Sequence, residues 1–214
     1  MRVLKTVPNL KKVRDENPSL LHLIFDMDGT LFNTEPLHAV VHKKITDIFT
    51  NGHFSNLDAK HYEDTYKGLA DKLVFEELRE DFLLSCPLDE FINLKKKIIL
   101  EEIENIELNS VFNFKILSLI EEAEKKGIRA SLVTASDRST TMSLLEKFKF
   151  TELFQIIRTD EDSKLSKPDP APYNEAIEIL KFMKNEVVIF EDSKAGVAAA
   201  LASNAPMYKV EWYK

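Results

Sequence analysis

Leu20-Leu21-His22-Leu23-Ile24-Phe25-Asp26-Met27-Asp28-Gly29-Thr30-Leu31 is the stretch around which the chain is organised. Residues 20–25 are apolar apart from His22 and read as a buried strand, far too short to span a bilayer. The run stops at two aspartates separated by one residue. In extended backbone, residues i and i+2 point to the same side, so Asp26 and Asp28 face one site. That site lies beyond the carboxyl end of a strand, where open α/β sheets place their chemistry. Gly29 then lets the chain turn away without a steric penalty. The plain alternative is a strand that ends in an acidic turn, because Asp-Gly is a common turn dipeptide. The rest of the chain has to choose between them.

Downstream, Leu37, Val40, Val41, Ile45, Ile48 and Phe49 recur at helical spacing. Thr34 and Pro36 are start signals for a helix over residues 36–50, and Asn51-Gly52 ends it. Residues 56–109 continue as helical patterns broken near Gly68 and Cys86-Pro87; over 88–106, Lys and Glu alternate around an apolar stripe. From Val111 the rhythm changes. A helix over 111–126 closes at Gly127, and a strand over 128–133 runs into Thr134-Ala135-Ser136. A helix over 139–148, a short strand over 155–157 and a polar loop lead to Lys167-Pro168-Asp169-Pro170. Another helix reaches residue 182, a strand over 187–190 stops at Glu191-Asp192-Ser193, and a helix over 195–203 precedes a last strand over 207–210. Strands alternating with helices predict an α/β fold: a doubly wound, Rossmann-like parallel sheet with right-handed crossovers. Residues 21–34 and 110–214 form that core, and residues 35–109 are an inserted, all-helical cap domain. Residues 1–20 are an N-terminal extension, either packed on the core or a tail.

Composition narrows the function classes. The chain has 214 residues, 44% of them hydrophobic and 30% charged, in the range of an ordinary globular protein with a proper core. A net charge of −7 argues against a general binder of phosphate backbones, so no nucleic acid is expected as partner. The lone Cys86 has no second cysteine to pair with and suits a reducing compartment. No stretch has the length of a signal peptide's apolar core or a membrane span, so a cytoplasmic protein without a membrane partner is expected.

Every conspicuous polar cluster follows a strand or sits in a loop at the same sheet edge: Asp26 and Asp28, Thr134 to Ser136, Lys167, and Glu191 with Asp192. Up to four negative charges then face one ammonium. Two like charges ~4 Å apart repel by about 4 kcal/mol at an effective dielectric near 20. Such a cluster takes up protons or binds a hard cation. Oxygen donors without His or Cys point to Mg²⁺, which keeps several waters and accepts phosphate oxygens. The Thr134 hydroxyl, the amides of Ala135 and Ser136 and the Lys167 ammonium suit phosphate oxygens as well. A carboxylate can attack phosphorus to give an aspartyl-phosphate, with a second acid protonating the leaving oxygen and later deprotonating water. For the first step that second acid must be protonated, and its acidic surroundings push Asp28 that way.

Asp26-Met27-Asp28-Gly29-Thr30-Leu31, Thr134, Lys167-Pro168 and Glu191-Asp192-Ser193 resemble the four ordered motifs of the haloacid dehalogenase superfamily of phosphotransferases, and the likeness spans residues 21–210. The helical insertion, entered through Thr34-Glu35-Pro36-Leu37-His38, is similar to the cap of the β-phosphoglucomutase-like branch. The resemblance implies Asp26 as nucleophile and Asp28 as general acid/base, with Thr134 and Lys167 holding the transferring phosphoryl group. It implies Mg²⁺ as cofactor, held by the Asp26 carboxylate, the Asp28 backbone carbonyl, Glu191 and Asp192. The second aspartate argues against the dehalogenase members themselves.

In that branch the cap closes over the core and contacts substrate. His38, Lys67 and Gly68 match it in position or type and are candidate substrate contacts, with Lys72 a weaker one. Asn33 replaces a usual aspartate, and Asn204 replaces the glycine that usually follows the last helix, a position asparagine tolerates. Leu69-Ala70-Asp71-Lys72 lacks the arginine that grips a second phosphate in the mutase. Three readings stand at this point. The first is a Mg²⁺-dependent phosphatase acting on a small phosphorylated metabolite. The others are a sugar-phosphate mutase and a catalytically retired binding protein on the same fold. The oligomeric state is open, a monomer included.

Overall fold

In the computed structural model, which describes residues 2–66 and 71–213, the elements run β1 (Arg2–Leu4), α1 (Leu10–Glu16) and β2 (His22–Phe25). Four helices follow: α2 (Glu35–Phe49), α3 (Ala59–Tyr66), α4 (Asp71–Phe82) and α5 (Leu88–Asn105). The remainder comprises α6 (Leu108–Val111), α7 (Phe114–Glu124), β3 (Arg129–Val133), α8 (Arg138–Lys147) and β4 (Phe154–Arg158). It ends with α9 (Ala171–Leu180), β5 (Val187–Glu191), α10 (Lys194–Ser203) and β6 (Met207–Val210). The chain divides into two units, one made of Met1–Asn33 and Leu108–Lys214, the other of Thr34–Glu107.

In the first unit, the strands form a six-stranded sheet in the order β1-β6-β5-β2-β3-β4, with every pair parallel. Chain order runs outward from β2 to β3 and β4 on one side, then returns to β5 and β6 on the other. The reversal falls between β2 and β5, and such a switch point leaves a crevice at the carboxyl ends of the two strands. Leu23, Ile24 and Phe25 have no exposed surface, and neither do Val188, Ile189 and Phe190 opposite them. Both strands are buried throughout, because helices cover both faces of a parallel sheet. Phe25 pairs with Phe190 in register, and their rings stack with centroids 4.8 Å apart. That register brings Asp26 and Glu191, the next residues of each strand, side by side.

Residues 2–20 are not an appendage to this core. β1 adds the edge strand beside β6, and Val13 on α1 is wholly buried. Glu16 of α1 accepts hydrogen bonds from Arg2 at 2.5 Å and from the Tyr208 hydroxyl, while Asn17 donates to Tyr208 at 3.2 Å. The apolar content of this segment is too thin for periodicity to reveal, since a three-residue strand and a seven-residue helix show little pattern. At the other end, α10 closes on Asn204 in left-handed conformation (φ 62°), the role a glycine usually takes.

The second unit is helical. α2 packs on α3 and α5, and α4 packs on α5. Its interior is aromatic and aliphatic, with Val41, Ile45, Tyr62, Leu78 and Phe91 wholly buried. Lys95 on α5 is buried too, its ammonium donating to Asp71 at the start of α4. Among the described residues, no helix is long and apolar enough to cross a membrane.

His22, inside the first strand, is wholly buried and its Nε2 lies 2.8 Å from the Ser131 hydroxyl. Burial, with a smaller contribution from Arg129, lowers its pKa from 6.5 to about 4. Between those values the unfolded chain binds a proton that the folded one refuses. The stabilisation is therefore complete above about pH 6.5 and lost as pH falls through about 4. We expect on the order of 3 kcal/mol to be lost over that window in urea titrations, and His22→Gln to flatten this part of the profile. Val13→Ala is expected to cost about 1–3 kcal/mol in the same assay; a tail residue would give none.

Candidate active site

Three strand ends and one loop supply the site. Asp26 follows β2, its N–H bonded to Phe190 C=O at 3.0 Å, which locks it beside the end of β5. Asp28 follows one residue on, and the chain then turns at Gly29 (φ 76°). Glu191 closes β5 and is wholly buried; Asp192 follows it, half-buried. One carboxylate oxygen each from Asp26, Glu191 and Asp192 lie within 4.8 Å of one another.

Lys167 comes from the loop ahead of α9 and drops into this cluster with 3% of its side chain exposed. Its Nζ donates to Asp26 Oδ1 at 2.6 Å, Glu191 Oε1 at 2.7 Å and Val133 C=O at 3.0 Å. Burial would lower the ammonium's pKa, but Asp26, Tyr173 and Glu191 hold it well above its ordinary value. Asp26 is driven the other way from a free carboxylate: burial first, then Glu191, Asp192 and Asp28, push its pKa well up against the opposing pull of Lys167. The pocket therefore carries more negative charge than one ammonium can satisfy.

Two glycines make room for the acids. A Cβ at Gly29 would lie 2.2 Å from Asp192 Oδ2, and one at Gly196 would lie 1.6 Å from Glu191 Oε1. The Thr30 hydroxyl donates to Asp192 Oδ1 at 3.3 Å. Glu191 Oε2 accepts the Ser193 N–H at 3.0 Å and its hydroxyl at 3.1 Å, while Ser193 caps α10 by accepting Gly196 N–H at 2.9 Å. This donor set fits a hard divalent cation. It is all oxygen, acidic beyond its positive complement and seated in cradles that any side chain would fill. The carboxylates of Asp26, Glu191 and Asp192 are the groups that would hold it.

At the end of β3, Thr134 is buried; its N–H donates to Arg158 C=O at 2.9 Å, and its hydroxyl accepts Ser136 N–H at 3.0 Å. Ser136 is expected from the sequence to meet a ligand through its amide. Here its hydroxyl donates to Asp28 Oδ2 and orients that carboxyl. Ala135 is exposed. His38 lies on α2 in the helical unit, its ring centroid 6.3 Å from that of His42; Lys72 is exposed at the start of α4. Lys67 and Gly68 lie outside the described residues.

The sequence reading missed three contributors. Tyr173 on α9 has no exposed surface, yet its hydroxyl donates to Glu191 Oε1 at 3.0 Å and its ring lies 4.8 Å from Lys167 Nζ. Burial and then Glu191 hold its pKa well above the ordinary phenol range, so it stays a donor. Trp212 Nε1 donates to Thr30 C=O and the Tyr213 hydroxyl to Leu31 C=O, each at 2.8 Å. They clasp the turn that follows Asp28. Nothing in the local pattern marks these aromatics as more than core, because their partners lie over 180 positions away for the terminal pair.

A family model described as haloacid dehalogenase-like hydrolase matches residues 23–210. The chain is 26% identical over 183 residues to a phosphorylated carbohydrates phosphatase of Thermotoga maritima, covering 83% of this chain and 79% of that one. It is 23% identical over 195 residues to the pyrophosphatase PpaX of Bacillus cereus, covering 89% and 82%. Its fold is similar to that of CbbY from Rhodobacter sphaeroides, solved in complex with phosphate, with a TM-score of 0.72 at 22% identity over 91% of this chain and 88% of that one.

Gly196→Ala tests the packing of Glu191. In an ordinary helix the change adds about 1 kcal/mol of stability. Here the methyl group would displace Glu191, so phosphatase activity is expected to fall at least about tenfold with little change in melting temperature. Unchanged activity would show that Glu191 tolerates a different seat.

Proposed function

The chain belongs to the haloacid dehalogenase-like hydrolase family and is a phosphohydrolase; we propose that it is a Mg²⁺-dependent phosphatase of small phosphomonoesters that works through a phosphorylated Asp26. The observation that carries this reading is the meeting of Lys167 with Asp26 and Glu191 at 2.6 and 2.7 Å, with Asp192 completing the acidic cluster. It is the arrangement expected of a buried carboxylate that must approach an anionic phosphoryl group.

The Asp26 carboxylate attacks phosphorus, an Asp26–phosphorus bond forms, and the bond to the leaving oxygen breaks. Asp28, held through Oδ2 by Ser136, gives its proton to that oxygen. Lys167 counters the negative charge that builds on the phosphoryl oxygens, and the Thr134 hydroxyl, which accepts the Ser136 N–H and so keeps its own proton to donate, binds the same group together with the Ala135 amide. In the second half Asp28 takes a proton from water, which attacks phosphorus; the Asp26–phosphorus bond breaks and inorganic phosphate leaves. Bound Mg²⁺ supplies charge that lets one anion approach another.

The substrate class is a sugar phosphate or similar metabolite, as the name of the Thermotoga maritima relative suggests. Hydrolysis is favoured over a mutase reaction because no arginine stands at 69–72, and Asp71 is ion-paired with Lys95. His38 is a candidate substrate contact from the helical unit, as are Lys67 and Gly68.

A panel of phosphorylated metabolites, with inorganic pyrophosphate included, assayed with Mg²⁺ and with excess chelator, tests the reading. Turnover of at least one phosphomonoester is expected, lost on chelation and restored by added Mg²⁺. Asp26→Asn is expected to lower kcat by about four orders of magnitude or more with the circular dichroism spectrum unchanged. Near-normal turnover by that variant would remove Asp26 as nucleophile.

A further inference from the structure

Tyr173 has no place in the mechanism above, and packing alone does not account for it. A phenylalanine would fill the same wholly buried position without carrying a hydroxyl into the sheet edge. The hydroxyl instead donates to Glu191 Oε1 at 3.0 Å, the same oxygen that Lys167 reaches at 2.7 Å. Lys167 has three N–H donors, and Asp26, Glu191 and Val133 C=O take all three. Its Nζ also sits 4.8 Å from the centroid of the Tyr173 ring. One side chain thus touches both members of the pair that flanks Asp26: the cation through its ring, the acid through its hydroxyl.

We propose that Tyr173 is a positioning residue that sets how Lys167 is shared between Glu191 and Asp26. With the phenol hydrogen-bonded to Oε1, part of the Glu191 charge is already met. Lys167 is then available to Asp26, the group on which the phosphoryl transfer turns. Ser193 holds the other oxygen of Glu191 through two donors, so the carboxylate cannot rotate to compensate when one donor is lost. Without the hydroxyl, Lys167 is the remaining donor to Oε1 among the described residues and is drawn toward Glu191. The Lys167–Asp26 contact at 2.6 Å lengthens where transition-state charge develops. The ring contributes separately, because a cation over an aromatic face gains most where water is excluded.

The proposal rests on Asp26 as nucleophile, and Tyr173→Phe tests it, since that change keeps the ring and removes only the hydroxyl. In the full chain with Mg²⁺ and p-nitrophenyl phosphate, kcat is expected to fall roughly 10- to 30-fold with KM within about twofold and the melting temperature nearly unchanged. Calorimetric titration with Mg²⁺ alone is expected to show several-fold weaker binding, because Lys167, drawn toward Glu191, offsets more of that carboxylate's charge. In a Glu191→Gln background the same substitution is expected to change kcat and Mg²⁺ affinity by less than about twofold, since its effect passes through that carboxylate. Wild-type-like kcat and Mg²⁺ affinity in Tyr173→Phe, or an equal loss in both backgrounds, would overturn the proposal. An inactive wild-type chain would instead strike at the phosphatase reading, and the Mg²⁺ titrations would still measure the coupling of Tyr173 to Glu191.

Discussion

One ammonium buried among carboxylates is the constraint on which the rest of this site depends. Lys167 would be costly to bury alone, and so would Asp26 or Glu191. Each is tolerable because the others are there, at 2.6 and 2.7 Å. The pairing is still incomplete, since Asp192 and Asp28 add to the negative charge around Asp26 and keep its pKa well raised. A site left short of positive charge in this way has affinity for a cation and for the chemistry a cation permits.

The sheet delivers these groups with little freedom. β2 and β5 are neighbours because the chain order reverses between them, and their register puts Asp26 against Glu191. The geometry of the acids is then tightened from outside the sheet. Gly29 and Gly196 leave the space that Asp192 and Glu191 occupy, Ser193 fixes one oxygen of Glu191, and Ser136 fixes one oxygen of Asp28. Side chains held by several such contacts lose little entropy when they meet a ligand.

Segments at both ends of the chain join in the same unit. β1 and α1 extend and cover the sheet beside β6, and Trp212 and Tyr213 hold the two carbonyls that follow Gly29. The turn carrying Asp28 is therefore braced by residues nearly the whole chain away. Such long-range bonds tie the turn to the core and limit its local opening.

The sequence by itself determined the class of fold and the inventory of acids. Apolar runs ending in Asp26-Met27-Asp28, Thr134 and Glu191-Asp192 announce strands that finish in polar groups, and their alternation with helices implies a parallel sheet. Those signals are local, and local patterns survive in a linear string. Tertiary structure alone decided the strand order and the register of Phe25 with Phe190. It also decided that Ser136 meets Asp28, that residues 2–16 belong to the core, and that Tyr173 touches both Lys167 and Glu191. The reason is physical: a hydrogen bond or ring contact between residues far apart in the chain leaves no periodic trace, and a buried tyrosine reads like any other core residue until its hydroxyl is seen to have a partner.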